Sequence, residues 1–157
     1  MSQVAPRVGI VLVSHSVRLA EGTADLAGQV SGGTVRVLAA GGTEDGDLGT
    51  SAEKIARAVA SAEAGAGVLV LPDLGSAVLT VRAMLSDMGG LSDMGERADT
   101  GGTADTGGTA GPAGGRVVLA DAPFVEGAVA ATVTAAAGAD LKTVAAAAEE
   151  AWHARKL

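Results

Sequence analysis

Four short apolar runs recur along the chain, each followed by a segment with helical spacing. The runs are Val8-Gly9-Ile10-Val11-Leu12-Val13, Val35-Arg36-Val37-Leu38-Ala39, Val68-Leu69-Val70-Leu71 and Val117-Val118-Leu119-Ala120. They are apolar at successive positions rather than at alternate ones, so both faces of each predicted strand are covered, as in a parallel sheet flanked by helices. Five helical faces follow from the spacing of the intervening apolar residues. They are Leu19/Thr23/Leu26/Ala27/Val30, Ala52/Ile55/Val59/Ala62, Ala77/Val81/Met84/Met88, Val125/Val129/Thr132/Val133/Ala136 and Leu141/Val144/Ala145/Ala148/Trp152. Thr50 and Glu53 have the spacing of a capping box for the second helix. Pro123 is placed as the first residue of the fourth helix, Glu126 as its first-turn acid, and Gly138 separates the last two helices. The order βαβαβαβαα predicts an α/β fold: an open, mostly parallel, four-stranded sheet with helices on both faces and right-handed crossovers.

One stretch breaks this rhythm. Between Ser86 and Gly115, Leu85-Ser86-Asp87-Met88-Gly89-Gly90 is followed by the near copy Leu91-Ser92-Asp93-Met94-Gly95-Glu96, and Ala98-Asp99-Thr100-Gly101-Gly102-Thr103 recurs unchanged as Ala104 to Thr109. So few copies cannot stack a solenoid core, and the segment reads as a flexible, low-complexity insert at 86–115 within a single domain spanning 1–157. Its aspartates lack the clustered ligands and terminal bidentate Glu of a calcium loop.

Composition narrows the function classes. The formal net charge is −7, from 11 basic and 18 acidic side chains. The insert contributes −4 of this, through Asp87, Asp93, Glu96, Asp99 and Asp105 against Arg97, so the body of the domain carries only −3. Neither part offers a basic surface for a phosphate backbone. One Trp, one Phe and no Tyr leave no stacking platform for bases. Nucleic acid is therefore excluded as a partner. The absence of Cys removes disulfides, thiolate metal sites and cysteine nucleophiles. No apolar run approaches membrane-spanning length, and Met1 is not followed by a basic segment and a signal-like apolar core. The expectation is a cytoplasmic protein without membrane insertion.

In an open α/β sheet, ligands bind beyond the carboxyl ends of the strands. Four loops fall there: Ser14 to Arg18, Gly41 to Asp47, Pro72 to Ser76 and Asp121 to Pro123. His15 follows the first strand directly and precedes a helix, whose N-terminal amides attract anions. A neutral imidazole is a competent nucleophile near neutral pH. A histidine that merely caps the helix or bonds to backbone is the competing reading. Asp73 follows the third strand. In a 2-1-3-4 strand order its carboxylate falls near His15, where it would fix the tautomer and leave the other ring nitrogen to attack. Asp73 is also well suited to a helix N-cap, and the two roles are compatible. Ser14, Ser16, Gly75 and Ser76 are the candidate donors to a phosphoryl group. Gly41, Gly42 and Thr43 open a glycine-rich acidic loop that has no Gly-Lys-Ser/Thr ending and so is not a nucleotide P-loop. That loop is either a simple connection or a lid over His15. His153, beside Arg155 and Lys156, reads as part of a solvated tail.

At these residues the chain resembles the phosphotransfer subunit of the phosphoenolpyruvate-dependent dihydroxyacetone kinase (the DhaM type), related to the mannose-family enzyme IIA domains of the sugar phosphotransferase system. The matching pieces, in family order, are Val8 to Ser16 with Leu19-Ala20-Glu21-Gly22, Ala40 to Thr43 with Leu48 to Ser51, Leu71 to Ala77, and Leu119 to Ala128. The resemblance implies that His15 accepts a phosphoryl group from the phosphocarrier protein HPr as a covalent phosphohistidine, and that Asp73 orients it. The group then passes to ADP on a nucleotide-binding subunit, which phosphorylates dihydroxyacetone held by a third subunit. A homodimer is implied, with no bound cofactor and no metal. The chain ends at Leu157 without the fused HPr and enzyme I domains of some relatives, so the donor is expected on another polypeptide.

Three other readings compete. A mannose-family enzyme IIA component of a sugar transporter would use the same histidine. A tetrapyrrole metal chelatase also carries an apolar strand leading to a His with a nearby Arg, as in Val11 to Arg18, but needs a porphyrin-sized cleft and further metal-handling side chains. A non-catalytic module could retain the fold alone.

Overall fold

A computed structural model of the chain describes residues 4–88, 92–93, 109–110 and 116–157. Its elements in chain order are β1 (Gly9–Ser14), α1 (Val17–Val30), β2 (Val37–Gly41), α2 (Ala52–Ala62), β3 (Val68–Pro72), α3 (Gly75–Asp87), β4 (Ser92–Asp93), β5 (Thr109–Ala110), β6 (Arg116–Leu119), α4 (Phe124–Ala136) and α5 (Leu141–Glu150), followed by a 3₁₀ turn at Ala151–His153. The four longer strands are parallel and lie in the order β2-β1-β3-β6, the expected 2-1-3-4 arrangement. Two-residue β4 extends the sheet beyond β6 in parallel, and β5 pairs with β6 antiparallel; neither was expected. The predicted insert starts too early, because α3 continues through Asp87. Beyond Met88, and apart from the two short strands, the remainder of that segment lies outside the described residues.

The apolar runs of β1, β3 and β6 are buried on both faces, whereas Val37, Leu38 and Ala39 of edge strand β2 are only half-buried, and alternate residues feed two cores. Ile10, Leu12, Leu69 and Leu71 pack with Ala27 of α1, with Ala128, Ala131 and Ala135 of α4, and with Val144, Ala145 and Ala148 of α5. Val11, Val13, Val68 and Val70 pack on the other side with Ile55, Val59 and Ala62 of α2 and Ala77, Val81 and Met84 of α3.

Several predicted helix faces are corrected. On α1 the buried residues are Ala20, Thr23 and Ala27, while Leu19, Leu26 and Val30 are exposed. On α4, Gly127, Ala128, Ala131, Thr132 and Ala135 face inward, while Val125 and Val133 do not. Both helices lie too close to the sheet for large side chains: a Cβ on Gly41 would sit 2.9 Å from the Ala20 Cβ, and one on Gly127 would sit 3.4 Å from Leu71. Trp152 is exposed, its indole N–H donating to the Asp121 carbonyl at 3.0 Å. The cap of α2 is Ser51 rather than Thr50; its hydroxyl accepts the Lys54 N–H at 3.1 Å. Thr50 instead shares a hydrogen bond with Thr80 of α3. Pro123 is the N-cap of α4 and lies just outside the helix.

Gly9 marks the tightest strand–helix approach. A Cβ there would collide with the Ala62 carbonyl oxygen and sit 2.8 Å from the Ala62 Cβ. Because the obstacle is largely backbone, Gly9→Ala is expected to lower stability by about 1–3 kcal/mol. Gly22→Ala, on an open face of α1 with nothing within 4 Å, should instead stabilise by up to about 1 kcal/mol through helix propensity. Urea unfolding midpoints of the two variants check the contrast.

Candidate functional site

The strand register creates the site. Ser14 pairs with Gly41 on one side of β1, and Val13 pairs with Pro72 on the other. The next residue on β1 is His15 and the next on β3 is Asp73, so parallel pairing sets them side by side at the carboxyl edge. The Asp73 N–H extends the ladder by donating to the Val13 carbonyl at 2.9 Å.

Asp73 is only 8% exposed at its side chain and accepts four hydrogen bonds. Its Oδ1 lies 3.0 Å from His15 Nδ1 and 2.7 Å from the Leu74 N–H; Oδ2 lies 3.1 Å from the His15 N–H and 2.9 Å from the Ser14 hydroxyl. Burial works to raise its pKa, but the bonds from the His15 backbone and ring, Ser14 and Leu74 together hold it below the ordinary value of 3.8. An ionised carboxylate only accepts, so Nδ1 carries the ring proton and the neutral imidazole presents its lone pair at Nε2. The His15 side chain is 25% exposed, and the Ser76 hydroxyl lies 2.7 Å from Nε2 and donates to it.

The other predicted residues fall into distinct places. Ser14 is fully buried, and its hydroxyl is used inside the protein: it donates to Asp73 and accepts the Ser16 N–H at 3.0 Å. It therefore stands behind the carboxylate, not at the surface where an incoming phosphoryl group would arrive. Ser16 is the N-cap of α1, and its oxygen accepts the Leu19 N–H at 3.2 Å, which leaves its own proton to donate outward. Gly75 and Ser76 form the exposed first turn of α3, whose leading amides lack intrahelical acceptors. Asp73 is not the cap of α3; that position is Leu74.

The Gly41 to Gly49 loop is tied to the histidine through its backbone. Gly42 donates to the Ser14 carbonyl at 3.0 Å, and Gly49 donates to the His15 carbonyl at 3.0 Å. Gly42 has φ +74 and its missing Cβ would sit 2.7 Å from Val17, so only glycine fits there. Lys54, which no sequence motif singled out, reaches from α2 to the carbonyls of Gly41 and Thr43, both at 2.9 Å. Beside Asp73 a cleft of about 360 Å³ opens between β3 and β6, with Leu74, Asp121 and Trp152 among its walls. His153 ends the 3₁₀ turn, exposed. Among the described residues, no three His, Asp or Glu side chains gather closely enough to hold a metal ion, and no helix is long and apolar enough to cross a membrane.

Residues 9–97, from β1 past the end of α3 and including both His15 and Asp73, match the model of the family described as PTS system fructose IIA component. The chain belongs to that family. Curated relatives of the chain include the phosphoryl donor subunit DhaM of the PEP-dependent dihydroxyacetone kinase from Pantoea ananatis, 36% identical over 140 residues that cover 87% of this chain and 25% of the relative. The corresponding DhaM subunit of kinase 2 from Listeria innocua is 38% identical over 78 residues, covering 50% of this chain and 62% of that one. The chain thus spans about a quarter of the length of the first relative. Among solved structures, a crystal structure of a protein of unknown function superposes with a TM-score of 0.68 at 29% identity, covering 92% of this chain and 94% of the other. A sigma-54 interaction domain protein from Enterococcus faecalis shares the fold, with a TM-score of 0.63 at 14% identity, covering 96% and 93%.

Proposed function

We propose that the chain is the phosphohistidine relay of a PEP-dependent dihydroxyacetone kinase. His15 takes a phosphoryl group from phospho-HPr and passes it to ADP on the nucleotide-binding subunit, which phosphorylates dihydroxyacetone on the third subunit. The observation that carries this reading is the Asp73 carboxylate on Nδ1 with Nε2 turned to the surface at the mouth of a helix N-terminus. Nε2 attacks phosphorus as the bond to the donor's ring nitrogen breaks, and the donor imidazole leaves with that electron pair. Imidazole becomes cationic at the ring during transfer, and the adjacent carboxylate stabilises that charge. The Ser76 hydroxyl must turn from Nε2 to the incoming oxygens, where Gly75, Ser76 and Ser16 can donate to them. The onward step is the same reaction run toward a different acceptor.

The surroundings suit protein partners. Leu48, Leu74 and Leu79 are each more than 60% exposed. They lie on the loop that bonds to His15, next to Asp73, and one turn beyond Ser76. Exposed leucines grouped around a reactive side chain fit a docking surface better than an enclosed substrate pocket. In this reading the phosphoryl group is carried on the protein, no cofactor or metal is bound, and the chain works in the cytoplasm as a homodimer beside the other two kinase subunits.

A sugar-transport role is the second reading, favoured by the description of the family itself. One reconstitution separates the two. With phosphoenolpyruvate, enzyme I, HPr, ADP and both remaining kinase subunits, the chain is expected to support formation of dihydroxyacetone phosphate. No product with the kinase subunits, together with rapid transfer to a sugar-specific IIB protein, would assign it to transport.

A further inference from the structure

We propose that Lys54 is a positioning residue for phosphoryl transfer, acting on His15 through the Gly41 to Gly49 loop; the inference rests on His15 being the phosphoryl acceptor. The first two turns of α2 grip this loop with one face. Ser51 donates to Glu44 Oε1 at 2.7 Å, Arg57 reaches both Glu44 oxygens at 3.1 and 3.2 Å, and Lys54 takes the carbonyls of Gly41 and Thr43. The Arg57–Glu44 pair is open to water, at 61% and 47% side-chain exposure, and such pairs constrain little. Lys54 is half-buried, and its partners are the carbonyls on either side of Gly42.

That position matters because the sheet ladder ends there. Ser14 and Gly41 are the last paired residues of β1 and β2. Beyond them the histidine backbone is held from the β2 side by Gly42 on the Ser14 carbonyl and Gly49 on the His15 carbonyl. From the β3 side it is held by Asp73 on the His15 N–H. The lysine fixes the base of the β2-side support, so the peptide bearing the nucleophile is clamped between α2 and β3. Its ammonium makes charge-assisted bonds to both carbonyls, adding to the Gly46 N–H that the Thr43 carbonyl already accepts at 3.0 Å, and so ties the loop's own turn to α2. Without it the loop can shift, and the aim of Nε2 shifts with it. In-line transfer is sensitive to errors of about an ångström.

The test follows single-turnover loading of the full chain by phospho-HPr, comparing the parent with Lys54→Met, which keeps the stem, and Lys54→Arg, which keeps the charge and the donors. The maximal rate of Lys54→Met is expected to fall about 10- to 100-fold, with the half-saturating phospho-HPr concentration unchanged and the variant folded by circular dichroism. Lys54→Arg should recover most of the loss. Three results overturn the proposal. They are an unchanged maximal rate, a loss confined to half-saturation, which makes Lys54 a docking residue, and failure of Lys54→Met to fold, which makes it purely structural. A parent chain that takes no phosphate on His15 overturns the proposed function itself, and is seen before any variant is compared.

Discussion

Asp73→Asn is expected to slow phosphoryl transfer by about 10²-fold or more while leaving the protein folded. The reason is the number of donors aimed at this one carboxylate. Oδ2 accepts from the His15 N–H and the Ser14 hydroxyl; Oδ1 accepts from His15 Nδ1 and the Leu74 N–H. An amide offers one oxygen and one NH₂. If the NH₂ replaces Oδ2, it faces the His15 N–H and the Ser14 hydroxyl. If it replaces Oδ1, it faces the Leu74 N–H and can donate to Nδ1, which drives the ring proton to Nε2 and removes the attacking lone pair; each orientation leaves one backbone N–H without its acceptor. Either orientation also leaves the phosphorylated, cationic ring without its counter-charge. Single-turnover loading from phospho-HPr measures the loss, and a rate within a few fold of the parent would show that Asp73 does not set the tautomer.

The pH dependence follows in direction from the same contacts. The pKa of Asp73 is lowered in the folded protein from its ordinary value of 3.8. Its contribution to stability is therefore fully present above that value and is lost as pH falls through the lower folded pKa. In Asp73→Asn this acid-side loss should be missing from the pH–stability curve, which separates the carboxylate's effect on folding from its effect on rate.

The sheet and the pairing of His15 with Asp73 were legible because both rest on short-range patterns. Unbroken β-branched runs mark parallel strands, and a parallel register automatically aligns the residues that follow β1 and β3. What failed was the choice of buried helix faces. Of the expected α1 face, Thr23 and Ala27 are inside, joined by Ala20, but its largest apolar residues, Leu19, Leu26 and Val30, are exposed. A helix that approaches a sheet closely admits only small side chains, and spacing alone does not reveal the approach distance. Twelve of the chain's 34 alanines lie in α1, α4 and α5, and those that face the sheet, such as Ala27, Ala128, Ala131 and Ala145, meet that constraint. The leucines they displace are left outside. Ser14 was misplaced for a related reason: its serine side chain gave no sign of being the last inward residue of β1, where it braces Asp73. Nothing in the sequence points to Lys54, because its partners are backbone carbonyls, which carry no sequence signature.

The largest expected effect is the loss of phosphate acceptance in His15→Ala. His15 combines a lone pair fixed at Nε2, a counter-charge at Nδ1 and a partly exposed ring. The chain's other histidine, His153, sits exposed on the terminal turn beside basic residues. Substitution of His15 should therefore leave the fold intact and abolish labelling, whereas Asp73→Asn only slows it. The most direct test is to incubate the parent chain and His15→Ala with phosphoenolpyruvate, enzyme I and HPr, and to map the product by mass spectrometry and ³¹P NMR. One acid-labile phosphoryl group is expected on His15 Nε2 in the parent and none in the variant. Equal labelling of His15→Ala, or a phosphate on Nδ1, would overturn the assignment.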